Sequence, residues 1–159
     1  MSLRRATEVL PAGTWPTSES VGRVTLGFDD RHRRRVRLVD DAGEAFLLDL
    51  DDATRIADGD GLRLDAGGIV RVCAADEDVL DISCNDARDT VRMAWHIGNR
   101  HLPTQVLDDG TLRIRADHVI AEMLTRLGAA VETKTASFNP EPGAYDESAA
   151  HGHGHDHDH

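Results

Sequence analysis

A chain of 159 residues with a formal net charge of −11 lacks the overall basic character that phosphate contacts require of a nucleic-acid-binding protein. Aromatic residues make up only 4% of the chain, so its core must rely on Val, Leu and Ile, and oligomerisation would add useful burial. Cys73 and Cys84 fit neither a disulfide framework nor a Cys-x-x-Cys site, and no signal segment or long apolar run is present, so we expect a protein of the reducing cytoplasm that does not enter a membrane.

Residues 21–72 alternate apolar and polar side chains in short runs. The apolar positions are Val24, Leu26, Phe28, Val36, Leu38, Phe46, Leu48, Leu50, Leu62, Leu64, Val70 and Val72. Turn-forming clusters separate the runs at residues 40–43, 58–61 and 66–68. Because this pattern is typical of short antiparallel strands, we predict a small all-β domain over residues 1–74. Residues 50–56 are also compatible with one helical turn, which is too short to change the class.

The all-β region contains one strongly basic run, Arg31-His32-Arg33-Arg34-Arg35-Val36-Arg37. A functional interpretation makes it a docking patch for an acidic partner or for nucleic acid. The alternative is a turn and an edge strand, whose solvated arginines keep the edge from pairing with other chains. We favour the second interpretation because no aromatic residue alternates with the arginines to stack on bases, and His32 is then a surface histidine.

The composition changes near residues 74–78, and we predict a second domain over residues 75–145. Its predicted elements are a strand at 79–84, a helix from Asn85 or Asp86 to about Asn99, strands at 102–107 and 111–115, a helix capped by Asp117 and closed by Gly128, and a strand at 129–137. This order is that of ferredoxin-like βαββαβ domains, so the predicted fold class is α+β. The face of the first helix that is expected to pack on the sheet comprises Val91, Ala94, Trp95 and Gly98.

The C-terminal tail, residues 146–159, contains five alternating histidines: His151, His153, His155, His157 and His159. Because nothing apolar there supports a packed structure, the tail is expected to be disordered without a ligand. Imidazoles separated by single Gly or Asp residues predict a metal-binding tract suited to nickel, copper or zinc. The alternative is an expression tag, although such tags are usually uninterrupted runs of histidine.

Three other histidines are candidate metal ligands: His96, His101 and His118. The first two lie on either side of Gly98, which is expected to end the helix, and about 140° apart on a helix, so they cannot share a helical face. A single imidazole holds a metal weakly, but a symmetric dimer that brings His101 beside its mate makes a two-histidine site with open positions. His96 is also explained as a packed residue at a helix end, and His118 as a residue of a helix cap region.

The segment His96-Ile97-Gly98-Asn99-Arg100-His101-Leu102-Pro103 resembles the His-Leu-Gly-Asn-Arg-His-x-Pro core of the UreE family, the urease accessory proteins that carry nickel. Residues 117–119 and 138–145 also resemble segments of this family. The resemblance implies a homodimeric nickel chaperone with a partner-binding β domain, a ferredoxin-like metal-binding domain, and His101 as the nickel ligand at the dimer interface. It implies the urease apoprotein and the accessory GTPase UreG as partners. His118 matches an auxiliary metal histidine of some members, but Ala116 replaces the second histidine of that site, and the tail histidines would supply the missing ligands.

Two other functions are compatible with the sequence. A passive buffer or store of nickel, zinc or copper would bind metal through the tail alone, whereas a chaperone uses His101. A hydrolase with a bound metal needs a preformed three-ligand site. The sequence contains no nucleophile-and-base constellation and no glycine-rich phosphate loop, so we expect binding and delivery of Ni(II), with Zn(II) or Cu(II) in competition, rather than catalysis.

Overall fold

The computed structural model describes residues 3–143. The chain forms two compact units: the first holds the described residues up to Cys73 together with Pro142 and Gly143, and the second is Ala74–Glu141. The predicted disordered tail, residues 146–159, lies outside the described residues. Neither helix between residues 3 and 143 is long and apolar enough to cross a membrane.

The first unit contains six strands: β1 (Arg4–Leu10), β2 (Ser20–Leu26), β3 (His32–Val39), β4 (Ala45–Arg55), β5 (Gly61–Leu64) and β6 (Ile69–Ala74). They form one mixed sheet in the order β2-β6-β5-β1-β4-β3. β1 lies inside the sheet, parallel to β4 and antiparallel to β5, and β3 pairs antiparallel with β4. The core side chains include Val24, Phe46, Leu48, Leu50, Leu62 and Val70. The predicted all-β region is therefore confirmed.

Two features of this unit differ from the sequence prediction. β1 was not predicted, because its apolar residues Ala6, Val9 and Leu10 do not alternate regularly, yet Ala6 is fully buried. The possible helical turn at residues 50–56 is wrong, since β4 continues to Arg55 and its last residues pair with the start of β3 beyond a bulge. Cross-strand hydrogen bonds satisfy more of the backbone N–H and C=O groups of this segment than one isolated helical turn would.

Arg31 differs from the rest of the basic run because its side chain is completely buried. It ends a short 3-10 turn, and its guanidinium Nη1 and Nε donate to the carbonyls of Leu26 and Ile56 at 2.8 and 3.2 Å. A buried cation requires such polar partners, so Arg31 ties the turn after β2 to the chain that follows β4. The interpretation of solvated arginines is therefore wrong for Arg31, whereas residues 33–37 belong to β3.

The second unit contains β7 (Asp76–Ser83), α1 (Ala87–Asn99), β8 (Gln105–Val106), β9 (Leu112–Arg115), α2 (His118–Arg126) and β10 (Ala130–Ser137). The four strands form an antiparallel sheet in the order β10-β7-β9-β8. The core between this sheet and the helices contains Leu80, Ile82, Met93, Ile97, Leu112, Ile114, Ile120 and Leu124. This is the ferredoxin-like arrangement, so the predicted α+β fold class is confirmed.

Both helices begin at a capping aspartate. The side chain of Asp86 accepts a hydrogen bond from the amide of Asp89 at 2.8 Å. The side chain of Asp117 accepts from the amides of Val119 and Ile120 at 2.9 and 3.1 Å. These bonds satisfy donors that have no partner inside the helix, and they fix where each helix starts.

α1 packs on the sheet through a different face from the one predicted. Its buried residues are Met93 and Ile97. The predicted face, which we call the α1 stripe (Val91, Ala94, Trp95 and Gly98), is exposed, with 68% of Val91 and 64% of Trp95 accessible. Both sets have helical spacing, so periodicity alone did not distinguish the face that meets the sheet. The second unit therefore presents an apolar helix stripe to its surroundings.

One buried ion pair lies on the sheet face away from the helices. Asp81 alternates with the core residues Leu80 and Ile82, and its carboxylate accepts from Nε and Nη2 of Arg113 at 2.7 and 2.9 Å. The side chains of Asp81 and Arg113 are only 7% and 11% exposed. The guanidinium of Arg113 is the main cause of a lowered pKa for Asp81, and Lys134 at 3.5 Å adds to it.

Candidate metal centre

His101 lies two residues beyond α1 in a left-handed backbone conformation. Its φ of 54° is the one positive φ at a non-glycine residue among the described residues. Its amide donates to the carbonyl of Gly98 at 3.0 Å, and the amide of Arg100 donates to that of Ile97 at 3.1 Å. These bonds cap the free carbonyls of the last helical turn in the way a glycine usually does. The predicted end of the helix near Asn99 is therefore confirmed, whereas the assignment of the terminating turn to Gly98 is wrong, because His101 makes that turn.

This conformation costs an L-residue about 1 kcal/mol or more, and histidine accepts it less readily than glycine. The side chain of His101 is exposed, so no core packing of the imidazole compensates the cost. A residue held in an unfavourable backbone region without a packing role is a candidate for function. The backbone conformation of His101 is therefore a second reason, independent of the sequence motif, to consider this residue functional.

His96 lies in the last turn of α1 and is half-buried. Its ring contacts the ring of Trp95 edge to face, with centroids 5.0 Å apart and an interplanar angle of 81°. This contact agrees with the packed alternative for His96 and orients its imidazole beside the α1 stripe. Its role as a ligand stays a prediction.

His118 is the first residue of α2 and is exposed. Asp117 before it is occupied as the helix cap, and Ala116 before that bonds through its amide to the carbonyl of Asp78 at 2.9 Å. Between residues 3 and 143, no three His, Cys, Asp or Glu side chains are grouped closely enough to hold a metal ion. Hence His96, His101 and His118 do not form a three-ligand site within this part of one chain.

After β10 the chain returns to the segment that follows His101. The amide of Asn139 donates to the side-chain oxygen of Gln105 at 2.9 Å, and the amide of Glu141 donates to the carbonyl of Thr104 at 2.8 Å. Phe138, just before these bonds, is completely buried and helps to hold the return. The bond from Glu141 therefore brings the end of the second unit to Thr104, three residues along the chain from His101.

An acidic cleft of about 400 Å³ adjoins the same segment. Its lining comprises Glu77, Asp78, Leu102, Pro103, Ile114, Arg115, Ala116 and Asp117. Three carboxylates against one guanidinium give this cleft a negative potential, which favours cations in the neighbourhood of Leu102.

Sequence reasoning singled out the histidines but not the groups around them. The bond from Glu141 to the carbonyl of Thr104 involves only backbone atoms, so no side-chain signal could have indicated it. Gln105 was a recognisable polar residue at the start of a strand, yet its bond joins it to a residue 34 positions away. Asp81 lies between two apolar residues of a predicted strand, and an aspartate in such a position can indicate a buried ion pair. The sequence analysis did not use this signal.

Comparison with known proteins identifies both units. The model of the C-terminal domain of the UreE urease accessory protein matches residues 77–159, and that of the N-terminal domain matches residues 6–75.

Individual relatives match along most of this chain, and each is named urease accessory protein UreE. The protein from Bradyrhizobium sp. strain ORS 278 is 50% identical over 149 residues, which cover 93% of this chain and 70% of the relative. The protein from Ruegeria pomeroyi is 42% identical over 152 residues, or 96% of this chain and 98% of the relative. The protein from Cereibacter sphaeroides is 44% identical over 143 residues, which cover 90% of this chain and 75% of the relative. The chain therefore belongs to the family of UreE urease accessory proteins.

Proposed function

We propose that this chain is a homodimeric nickel chaperone, which holds Ni(II) at His101 on a dimer interface and in its C-terminal histidines, and donates it for assembly of the urease active site. A role in urease maturation follows from the family. The observation that carries the finer proposal is that His101 is exposed, left-handed and joined by a hydrogen bond to the end of the exposed α1 stripe.

The α1 stripe suggests how a second imidazole reaches the metal. An exposed apolar helix face is well covered by a copy of itself across a two-fold axis, and that axis brings residues near it together with their mates. Gly98 belongs to the stripe and accepts from the amide of His101, so His101 would lie close to such an axis. Two imidazoles with open positions bind nickel yet release it, and they also admit Zn(II) and Cu(II).

The tail is proposed to add ligands to this site. His151 follows Glu141 by ten residues, a span of at most about 35 Å, and Thr104 lies at most about 11 Å along the chain from His101. Because Glu141 is bonded to Thr104, the tail starts within reach of His101. Imidazoles from the tail would strengthen the two-histidine site and would also bind further ions.

The remaining assignments concern partners. We propose that the metal passes from this dimer to the urease apoprotein with the help of the GTPase UreG. The β domain, residues 1–74, is proposed to bind a protein segment, while the ferredoxin-like domain, residues 75–145, carries the metal. His96 and His118 are proposed as auxiliary ligands, which the half-buried and exposed positions of their rings allow.

The deciding measurement is nickel stoichiometry by calorimetry on protein that ends at Tyr145, with and without His101→Ala. We expect the truncated protein to bind about one ion per two chains, because each site takes one imidazole from each copy. His101→Ala should remove this ion. His32→Ala, which changes an exposed histidine of the first unit, should leave it in place.

A truncated protein that binds no nickel would make the tail the whole binding device and the protein a passive buffer. Retention of the ion by His101→Ala would place the ligand elsewhere in the folded part. Either result ends the proposal of a shared His101 site.

The dimer contact is tested by Trp95→Asp. Trp95 is already 64% exposed, so the substitution should leave the second unit folded, but a charge in the covered stripe should weaken association about tenfold or more. Sedimentation analysis over a concentration series measures the change, and circular dichroism checks the fold. Val39→Asp, at a residue 49% exposed in the first unit, is the matched control. An unchanged association constant for Trp95→Asp would show that the α1 stripe is not the interface.

A further inference from the structure

The arginine-rich strand β3 lies at one end of the six-stranded sheet. Within residues 3–143 it pairs only with β4, so the backbone groups along its other side have no strand partner. Such an edge accepts an extended peptide as an additional strand, and main-chain hydrogen bonds then supply much of the affinity.

The side chains of β3 alternate between two chemical types along this edge. Val36 and Leu38 pair in register with the core residues Leu48 and Phe46, so they point to the core side of the sheet. Arg35 and Arg37 point to the other side and are exposed. A strand added beside β3 would therefore meet apolar groups on one face and guanidinium groups on the other.

The positive charge of the edge is only partly neutralised by its own unit. Arg33 pairs with Asp30 at 3.2 Å, and Asp49 opposite Arg35 is hydrogen-bonded to Arg5, whose guanidinium is the main cause of the lowered pKa of Asp49. Asp51 and Asp52 lie in β4 opposite Arg34, where extra residues of β4 shift the register between the two strands. In the described part of the chain, neither Arg35 nor Arg37 has a carboxylate oxygen within 4.0 Å.

We propose that the β3 edge binds an extended protein segment in which acidic residues alternate with apolar ones. Each acidic side chain would lie beside Arg35 or Arg37 and each apolar side chain beside Val36 or Leu38, because cross-strand neighbours on one face lie within contact distance. The proposal rests on the partner-binding role proposed for the β domain and gives that role a surface and a ligand chemistry. Single-stranded nucleic acid is less well matched, since no aromatic side chain lies in β3 for bases to stack on.

The test uses fluorescence anisotropy of a labelled peptide of alternating Glu and Val with the full chain. Peptides of alternating Lys and Val and a labelled oligothymidine are the comparison probes. The variant Arg35→Glu/Arg37→Glu reverses the charge at the edge, and Arg35→Gln/Arg37→Gln removes it without adding repulsion toward Asp49. The matched control is Arg63→Glu/Arg71→Glu, which makes the same change at two exposed arginines of β5 and β6, strands that do not neighbour β3 in the sheet.

We expect the Glu-Val peptide to bind the parent chain with an affinity that falls as the salt concentration rises. Its affinity for the Glu variant should be lower by about tenfold or more. The Gln variant should lose less, and the control should differ from the parent by less than about twofold. Thermal melts confirm that each variant is folded.

Absence of peptide binding to the parent, equal binding to the Glu variant, or preference for the Lys-Val peptide or the oligothymidine would overturn the proposal. The nickel stoichiometry of the parent chain and of His101→Ala is measured beside peptide binding. If the parent chain binds a nickel ion that His101→Ala lacks but does not bind the Glu-Val peptide, the docking surface is wrong and the His101 site stands. If the parent chain binds the peptide but His101→Ala loses no nickel, the His101 site is wrong and the docking surface stands.

Discussion

Replacing His101 by glycine should remove the shared nickel ion and at the same time make the protein more stable. The imidazole is the proposed ligand, so His101→Gly abolishes the site as His101→Ala does. The left-handed φ of 54° is easy for glycine and unfavourable for other residues, so the free energy of unfolding should rise by about 1 kcal/mol in His101→Gly relative to His101→Ala. The greater chain entropy of unfolded glycine reduces the gain without cancelling it. Urea unfolding beside nickel calorimetry measures both quantities.

The pair of variants separates the backbone of residue 101 from its side chain. His101→Asn is a further control, because asparagine tolerates the left-handed region but offers a poorer nickel ligand. If His101→Gly proves less stable than His101→Ala, the turn is not strained and the conformation carries no information about function. If His101→Gly keeps the ion, the imidazole of His101 is not its ligand.

The buried pair of Asp81 and Arg113 should give the largest loss of stability in the second unit. Asp81→Ala leaves the guanidinium of Arg113, 11% exposed, without its carboxylate, and removal of one partner from a buried ion pair typically costs about 3 to 5 kcal/mol. Arg113→Met should cost a comparable amount, because the carboxylate of Asp81 then keeps only Lys134 at 3.5 Å. Urea unfolding followed by circular dichroism provides the values.

The double variant Asp81→Leu/Arg113→Met is the control for this prediction. Replacing both partners by apolar side chains of similar size removes the unpaired charge, so most of the loss should be recovered. Strictly additive losses would contradict the assignment, since they would mean that the two side chains act independently. Asp89 and Arg92 form an exposed ion pair separated by 3.7 Å. Loss of this pair in Asp89→Ala should change the free energy of unfolding little, whereas loss of a negative charge from the first turn of α1 should lower it slightly.

The same pair gives stability a definite dependence on pH. The pKa of Asp81 is lowered in the folded state, so its contribution is present above the ordinary carboxyl pKa of about 3.9 and is lost as pH falls through the lowered value. The parent should therefore lose stability in this acidic range more steeply than Asp81→Leu/Arg113→Met.

The order of elements in the second unit was predictable because local signals agreed with the fold. Asp86 and Asp117 are helix caps in the sequence and in the structure, and the turn at residues 108–110 joins two neighbouring strands. Each of these features depends on residues close in the chain, which is why one sequence was enough to assign a ferredoxin-like order.

The features that escaped prediction depend on distant contacts. β1 has a weak alternation, and its place inside the sheet follows from its pairing with β4 and β5. The choice between the Met93 face and the Trp95 face of α1 depends on what lies against each, which a helical period does not encode. For His101, a histidine in place of a capping glycine left no local signal of a left-handed turn.

The bond between Glu141 and Thr104 fixes the point from which the chain continues toward its C-terminal histidines. Histidines can be added to or removed from residues 151–159 without changing either partner of this bond. In the proposed chaperone, the number of ions that the tail takes up and the retention of metal at His101 are then set by different residues. Variation in the tail would change how much metal the proposed chaperone carries and leave the shared site as it is.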